Sequence, residues 1–417
     1  MSRRTAVLVV GLAAALPRLA VVAVERGRLL SGLTEKSDRF ARTLVDSGTF
    51  GFIPGVPSGY TQPLYALFLA PIYWTFGHSW AAVALIQVAV ATGTALLVYA
   101  IGAAVATRGI GVAAALLATL NPYLIWHDVH LNREILDGLL AALVTLLVVL
   151  SVQRTSIRIA GAAGVAVGLA VLGNARLTLL PIVLAGYLLW AIVPGNRGAW
   201  AAVALVAASV VVVTPWVVRN RVSVGCATIT TDARALWKAN NPATFEILRH
   251  GGWIDQVPEL PDAPPWPELA ADRTLSGKPT AVDECAQMRF YQGKVFHFWR
   301  TQPGEKAKLA VQAVWMLWRP TVGLEGDSGG TLSDVGRKVI EPVYVLVLYA
   351  LAIAGLGRLP RRYLAPTILL LAYGTVMAMV FAGTMRYSAP WDFLLCVPAA
   401  LGLARIAKAV RLRRAVT

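Results

Sequence analysis

Long apolar runs separated by short polar punctuation dominate this chain. Runs near 5–25, 80–102, 109–126, 134–153, 158–175, 177–194, 199–217, 339–357, 364–383 and 388–407 recur along it. Each approaches the roughly 20 residues that a helix needs to cross about 30 Å of hydrocarbon. Barrel-like alternation is absent, and only helices or closed barrels satisfy backbone polar groups in lipid. The expected fold class is an all-α polytopic membrane protein with about ten transmembrane helices. Segment 63–77 is apolar but short and is punctuated by Pro63 and Pro71. It reads as an interfacial or re-entrant piece, and counting it as a crossing would invert every later basic loop.

Composition supports this class. The chain is 57% hydrophobic and 14% charged, whereas soluble domains carry roughly a quarter charged residues. The net charge of +16 does not point to nucleic acid, because much of it sits in short clusters between the runs. These clusters are Arg108, the turn 153–158, Asn196-Arg197, 358–362 and the tail from Lys408 to Arg414. Basic loops mark the cytoplasmic side. With the N-terminus inside, all of them fall there, which predicts a multi-pass cell-membrane protein with both termini cytoplasmic. Ser2-Arg3-Arg4 and the run to Val24 read as an uncleaved first span, since Pro17-Arg18 interrupts the run and no small-x-small cleavage site ends it. Three parts follow: a membrane module at 1–217 with a first external loop at 26–79, an external region at 218–338, and membrane helices with a basic tail at 339–417. Aromatic and aliphatic spacing over 287–318 predicts one helix lying along the interface.

The external side holds the candidate chemistry. Glu35 and Asp38 lie one helical turn apart in the first loop. A partly buried carboxylate there could act as a general base, and a solvated interfacial helix would carry the same residues. His127-Asp128-Val129-His130 offers ligands for a divalent cation or simply a polar turn at headgroup level. Glu134, after Arg133, suits a helix start by its charge. Arg18, Arg176, Arg219, Arg221 and Arg386, the last beside Tyr387, reach the external ends of separate runs, against the positive-inside bias. Guanidinium groups bind phosphate oxygens in pairs, so the set suggests recognition of a lipid phosphate. Of three cysteines, Cys396 reads as a small buried hydrophobe, and Cys226 and Cys285 are a disulfide candidate if their loop is extracytoplasmic. No P-loop, dinucleotide fingerprint or Ser-His-Asp arrangement is visible.

The order of short motifs resembles the polyprenyl- or dolichyl-phosphate-sugar-dependent glycosyltransferases of the GT-C superfamily, in particular the protein O-mannosyltransferase and aminoarabinose-transferase branch. The resemblance rests on Ser37-Asp38-Arg39-Phe40-Ala41-Arg42, Gln62-Pro63-Leu64-Tyr65, Leu120-Asn121-Pro122 and Arg133-Glu134-Ile135-Leu136. It continues through Leu172-Gly173-Asn174-Ala175-Arg176, Pro215-Trp216-Val217-Val218-Arg219-Asn220, Asn240-Asn241-Pro242 and Arg386-Tyr387-Ser388-Ala389-Pro390. It implies a polyprenyl-phosphate-linked sugar donor and a glycan, lipid or protein acceptor hydroxyl, joined with inversion at the extracytoplasmic face. Asp38 is then the expected base, with Glu35 as the alternative. Arg386, Arg219, Arg176 and Arg133 are expected at the donor phosphate, and Tyr60, Tyr65, Glu134, Asp128 and Tyr387 at acceptor or sugar. A divalent cation is an optional helper, with no metal ligands assigned. The rival class is a transporter or flippase for a lipid-linked or anionic substrate. Against it, the charges gather at one face rather than at the midplane, and no half-and-half repeat is visible.

The topology can be checked by thiol labelling in intact cells. A cysteine introduced as Thr155→Cys should stay closed to impermeant reagents added outside, and labelling there would overturn the assignment.

Overall fold

A computed structural model of the chain describes residues 1–25, 36–192, 195–275, 282–320 and 336–414. Glu35 lies outside the described residues. The helices follow in chain order as α1 (Arg3–Val24), α2 (Lys36–Ser47), α3 (Pro63–Phe76), α4 (Trp80–Val105), α5 (Arg108–Thr119), α6 (Pro122–His127) and α7 (Glu134–Arg154). Then come α8 (Ile157–Gly173), α9 (Leu180–Ala191), α10 (Arg197–Ser223), α11 (Ala233–Lys238), α12 (Thr244–Arg249) and α13 (Pro267–Leu275). The last are α14 (Glu284–Thr301), α15 (Pro303–Trp318), α16 (Glu341–Gly355), α17 (Arg361–Val380), α18 (Met385–Ser388) and α19 (Phe393–Arg414).

The chain is a polytopic α-helical membrane protein. Among the described residues seven helical stretches (α1, α4, α7, α10, Lys338–Arg358 around α16, α17 and α19) are long and apolar enough to cross a bilayer. The other three expected runs are shorter or broken, and local chemistry explains where. The run 109–126 divides into α5 and α6 at Asn121-Pro122, where the Asn121 Oδ1 accepts from the Tyr123 N–H at 3.1 Å and proline takes the first helical position. The run 177–194 opens as a tight helical turn over Ala175–Leu177 before α9 begins. The expected single helix over 287–318 is two, because Pro303 lacks the N–H that would continue α14 and starts α15 instead.

Small residues let the helices approach closely, as association within lipid favours. A methyl group built on Gly164 of α8 would lie 2.2 Å from the Leu205 carbonyl oxygen of α10. One built on Gly355 of α16 would lie 1.9 Å from the Pro398 carbonyl oxygen of α19. The main core runs through these crossings and through α4, α5 and α7.

A second apolar cluster underlies the loop-bearing side. It joins Phe40 of α2, Phe50, Phe52 and Tyr60 of the following loop, and Tyr65, Leu69 and Tyr73 of α3. Phe40 meets Phe50 and Phe52 edge-on with centroids 4.8 and 4.6 Å apart. Cys226 and Cys285 are joined, tying α14 to the segment after α10. The neighbouring Glu284 carboxylate accepts from the Gly59 N–H at 2.9 Å and from the Thr231 hydroxyl at 2.7 Å. These contacts bind the loop after α2 to the segment between α10 and α14.

Gly355→Ala should destabilise the α16–α19 contact, because the added methyl overlaps a backbone oxygen that has no room to move. Overpacking of this kind typically costs about 1–3 kcal/mol. Thermal unfolding in detergent would show it as a lowered midpoint, and an unchanged midpoint would refute the close-approach argument.

Candidate active site

The start of α7 gathers the charged side chains. Asn132 Oδ1 accepts from the Ile135 N–H at 3.0 Å, closing the first helical turn. Its own N–H donates to the Tyr65 hydroxyl at 3.1 Å, while Gln87 Nε2 donates to the carbonyls of Asp128 and His130, both at 2.7 Å. The turn before α7 is thus fixed to α3 and α4. Glu134 and Asp137, one helical turn apart, therefore hold defined positions on α7.

Glu134 is buried and receives Arg386 from α18 in a two-point pair, Nε to Oε1 at 2.7 Å and Nη2 to Oε2 at 3.0 Å. Arg133 Nε lies 3.7 Å from the same carboxylate, and His127 Nε2 lies 4.0 Å from it. Arg133 also donates from Nη1 to the Gln62 Oε1 at 2.8 Å. Arg176 arrives from the turn after α8 and stacks its guanidinium 3.6 Å from the Tyr387 ring centroid. Stacking uses the flat face of a guanidinium and leaves its N–H edge directed elsewhere.

Asp137 completes the group and was not foreseen from sequence. Asn174 Nδ2 donates to its Oδ2 at 3.0 Å, and its Oδ1 is buried with no hydrogen-bond partner among the described residues. A methyl on Gly173 would sit 3.4 Å from that oxygen and 3.1 Å from Leu64 Cδ2. The Gly173-Asn174-Ala175-Arg176 string therefore makes room for Asp137, holds it, and supplies a cation. A signal did exist, since a carboxylate inside an apolar run is a functional suspect by default.

Two recesses meet at Glu134. The larger, with about 690 Å³ of empty space, is mostly apolar and also touches Arg18, His127, Asp128 and Asp392. The smaller, about 240 Å³, is lined by Glu134, Asp137, Asn174, Arg386, Tyr387 and neighbouring residues.

The structure divides the residues expected from sequence. Arg133, Arg176, Arg386, Glu134 and Tyr387 come together. Arg219 does not join them, because its guanidinium donates to the carbonyls of Ser58 at 2.7 Å and Phe50 at 2.9 Å and clamps the first loop. Asp128 is taken by Arg18, with Nη2 to Oδ2 at 2.7 Å and Nε to Oδ2 at 2.9 Å. Burial raises the Asp128 carboxyl above its usual range, and the Arg18 charge opposes that rise. Tyr65 is buried, its hydroxyl spent on Gln87 at 2.7 Å and on Asn132. Tyr60 is buried beneath the Lys36 ammonium, 4.7 Å from its ring centroid, and burial raises its phenol.

Asp38 is also engaged elsewhere. Its Oδ1 accepts from the Tyr73 hydroxyl at 2.6 Å and meets His78 Nε2 at 2.9 Å, and its Oδ2 pairs with Arg42 at 3.2 Å. Tyr73 stands ten residues along α3 from Pro63, the neighbour of Gln62, which is about 15 Å of helix axis. The expected base and the expected phosphate cluster thus occupy opposite ends of α3. The 127–130 turn does not converge on an ion either. Asp128 faces Arg18, while His130 stacks on Trp126 at 3.9 Å. Among the described residues no group of three or more His, Cys, Asp or Glu is placed to hold a metal.

The architecture matches known structures. The archaeal oligosaccharyltransferase AglB from Archaeoglobus fulgidus, in complex with an inhibitory peptide and a dolichol-phosphate, superposes with a TM-score of 0.58 at 15% identity over 98% of this chain and 51% of that one. The chain has the GT-C fold. The Archaeoglobus fulgidus oligosaccharyltransferase complex with Zn and sulfate gives 0.55 at 16% identity, over 97% of this chain and 50% of that one. ArnT from Cupriavidus metallidurans bound to undecaprenyl phosphate is similar at 13% identity over 97% of this chain and 79% of that one, with a TM-score of 0.45. The family model described as dolichyl-phosphate-mannose-protein mannosyltransferase matches residues 57–218, and no curated protein matches the chain in sequence. The chain spans about half the length of the archaeal structures. Within this GT-C fold the matched segment supplies Gln62, Glu134, Asp137, Asn174 and Arg176, and Arg386 comes from beyond it.

Removing Arg386 should leave Glu134 buried without its main partner. Arg386→Ala should cost about 3–5 kcal/mol, and adding Glu134→Gln should recover part of that loss. A double-mutant cycle on thermal unfolding measures the coupling, and strictly additive effects would show the pair to be energetically idle.

Proposed function

We propose that the chain transfers a sugar from a polyprenyl-phosphate donor to an acceptor hydroxyl at the extracytoplasmic face, with inversion at the anomeric carbon. The observation that carries this reading is the gathering of charge at the start of α7. Three guanidinium groups (Arg133, Arg176, Arg386) gather with two carboxylates (Glu134, Asp137), a formal net charge of +1 for the cluster, of which Arg386, Glu134 and Asp137 line the smaller recess. A polyprenyl-phosphate sugar is a phosphodiester with one negative charge, so the two match. Placed at the head of spanning helices, the cluster meets a phosphate whose isoprenoid tail stays in the bilayer. As the glycosidic bond breaks, charge grows on the departing phosphate, and fixed guanidinium groups in a dry site are worth more than in water.

The fold adds support. The archaeal oligosaccharyltransferase was solved with a dolichol-phosphate, a lipid phosphate of the same chemical class. A protein acceptor, a glycan and a lipid all present hydroxyls that this chemistry would accept. Hexosyl or pentosyl choice is read from the assay below.

The test is an assay of purified protein with polyprenyl-phosphate hexoses and pentoses against a membrane extract, followed by mass analysis. Release of polyprenyl phosphate and a sugar-bearing product, without any ion gradient, is the expected result. Movement of intact donor across proteoliposomes with no bond cleavage would replace this reading with the transport one.

A further inference from the structure

We propose that Asn240 and Lys306 position Arg386 and Arg176 for the donor phosphate by holding the C-terminal end of α17. This inference rests on the transferase reading above and adds two positioning residues to it, neither of which lines the recesses at Glu134.

A helix leaves its last carbonyls without partners of its own. At the end of α17, side chains from distant stretches of chain supply them. Lys306 Nζ, in the first turn of α15, donates to the Met379 carbonyl at 2.6 Å. Asn240 Nδ2, just after α11, donates to the Val380 carbonyl at 2.9 Å. The ammonium also suits the negative end of the helix dipole. Asn240 is fully buried and its amide is completely used. Its Nδ2 donates a second bond to the Leu236 carbonyl at 2.8 Å, while its Oδ1 accepts from Lys306 Nζ at 2.5 Å and from Trp299 Nε1 at 2.9 Å. Reversing the amide would set its donors against those of Lys306 and Trp299, so it holds one orientation. Asn241 turns back on its own segment, donating to the carbonyls of Trp237 and Lys238 at 3.1 and 3.2 Å. Asn240 is thus the member of the Asn240-Asn241-Pro242 string that reaches the bundle.

Both arginines take their places from this end of α17. The Tyr373 hydroxyl donates to the Arg176 carbonyl at 2.6 Å, and the Phe381 ring centroid lies 5.2 Å from the Arg176 guanidinium. Residues 381–384 then lead into α18, of which Arg386 is the second residue. A helix of four residues is too short to hold a place by its own hydrogen bonds. Its position is set by what grips the connection before it. A methyl group built on Gly383 would lie 1.8 Å from the Ala313 carbonyl oxygen, so the connection lies against α15. Further back along α17, Thr375 Oγ1 accepts from Trp318 Nε1 of α15 at 3.1 Å. A shift at the end of α17 would therefore move the fork of Arg386 against Glu134 and the stacked Arg176 together. A misplacement of about 1 Å at a reacting site can cost about 10²-fold in rate.

Lys306→Met keeps most of the side-chain stem and removes the grip. In detergent micelles its affinity for polyprenyl phosphate should fall by about 10–10²-fold, and kcat/KM for the donor with it. Lys306→Arg, which keeps a cationic donor for the Met379 carbonyl, should lose less than about threefold. Combination with Arg386→Lys, which keeps the charge and loses the two-point fork, separates positioning from a structural role. A misplaced group and an altered one remove the same contact, so the double variant should bind about as weakly as Arg386→Lys alone. Trp299→Phe deletes one bond to Asn240 and keeps an aromatic ring; it should weaken binding in the same direction and carries the test where Lys306→Met fails to fold. Lys294→Met, which removes the ammonium that meets Asp262 at 3.1 Å, should leave binding unchanged. Normal binding in the folded Lys306→Met or Trp299→Phe protein overturns the proposal and leaves the transferase reading intact. So do losses that multiply in the double variant, or an equal loss in Lys294→Met, since either marks a general weakening of the fold. A wild-type protein that neither binds polyprenyl phosphate nor cleaves any donor overturns the transferase reading itself, and the proposal with it.

Discussion

The pair between Glu134 and Arg386 is the contact on which the site depends. It joins the first turn of α7 to α18, residues 252 positions apart, across the head of the bundle. A carboxylate and a guanidinium withdrawn from water attract strongly, but each is expensive to bury alone. The pair therefore favours the arrangement in which α7 and the turn before α19 meet. Once they meet, Tyr387 lies where Arg176 can stack on it and Pro390 closes the recess. The site is consequently built from two distant stretches of chain and exists only when both are docked.

Around this pair the helices are positioned by contacts of a different kind. Gly164 and Gly355 admit neighbouring backbones at distances that no side chain would permit. The loop-bearing side relies instead on aromatic packing, on Arg219 gripping two loop carbonyls, and on the Cys226–Cys285 link. Arg219 shows how one residue type serves two ends. A guanidinium presents several donors in a fixed fork, which suits two backbone oxygens as well as two phosphate oxygens.

That versatility explains what was legible in the sequence. The helical membrane class was readable because crossing length and backbone satisfaction constrain it strongly, whereas three of the ten expected runs (109–126, 158–175 and 177–194) form shorter or broken helices. The gathering of Arg133, Arg176 and Arg386 was partly readable, since each stands at one end of an apolar run. The exclusion of Arg219 was not, because a clamp and a phosphate ligand leave the same local pattern. Asp38 was placed by its motif, yet its distance from the arginines depends on how α3 lies, and fourteen apolar residues do not specify an orientation. The break at Gln302-Pro303 was readable from proline alone and was masked by the continuous aromatic spacing around it. Asp137 was readable as a charge inside an apolar run, but its significance needed Asn174 and Gly173 brought from the next helix.

The electrostatic state of the recess follows from these placements. Glu134 is neutralised by Arg386 at contact distance, so its charge contributes little to the field felt further out. Arg133 is turned partly toward Gln62, and Arg176 is stacked on Tyr387, which positions two cations without cancelling them. Asp137 then sits as a carboxylate oriented by a neutral amide rather than by a salt bridge. A neutral partner orients a group without opposing its protonation, whereas a guanidinium in contact would resist it. The two acids one turn apart on α7 are thereby set apart by their partners: a guanidinium in two-point contact for Glu134 and a neutral amide for Asp137.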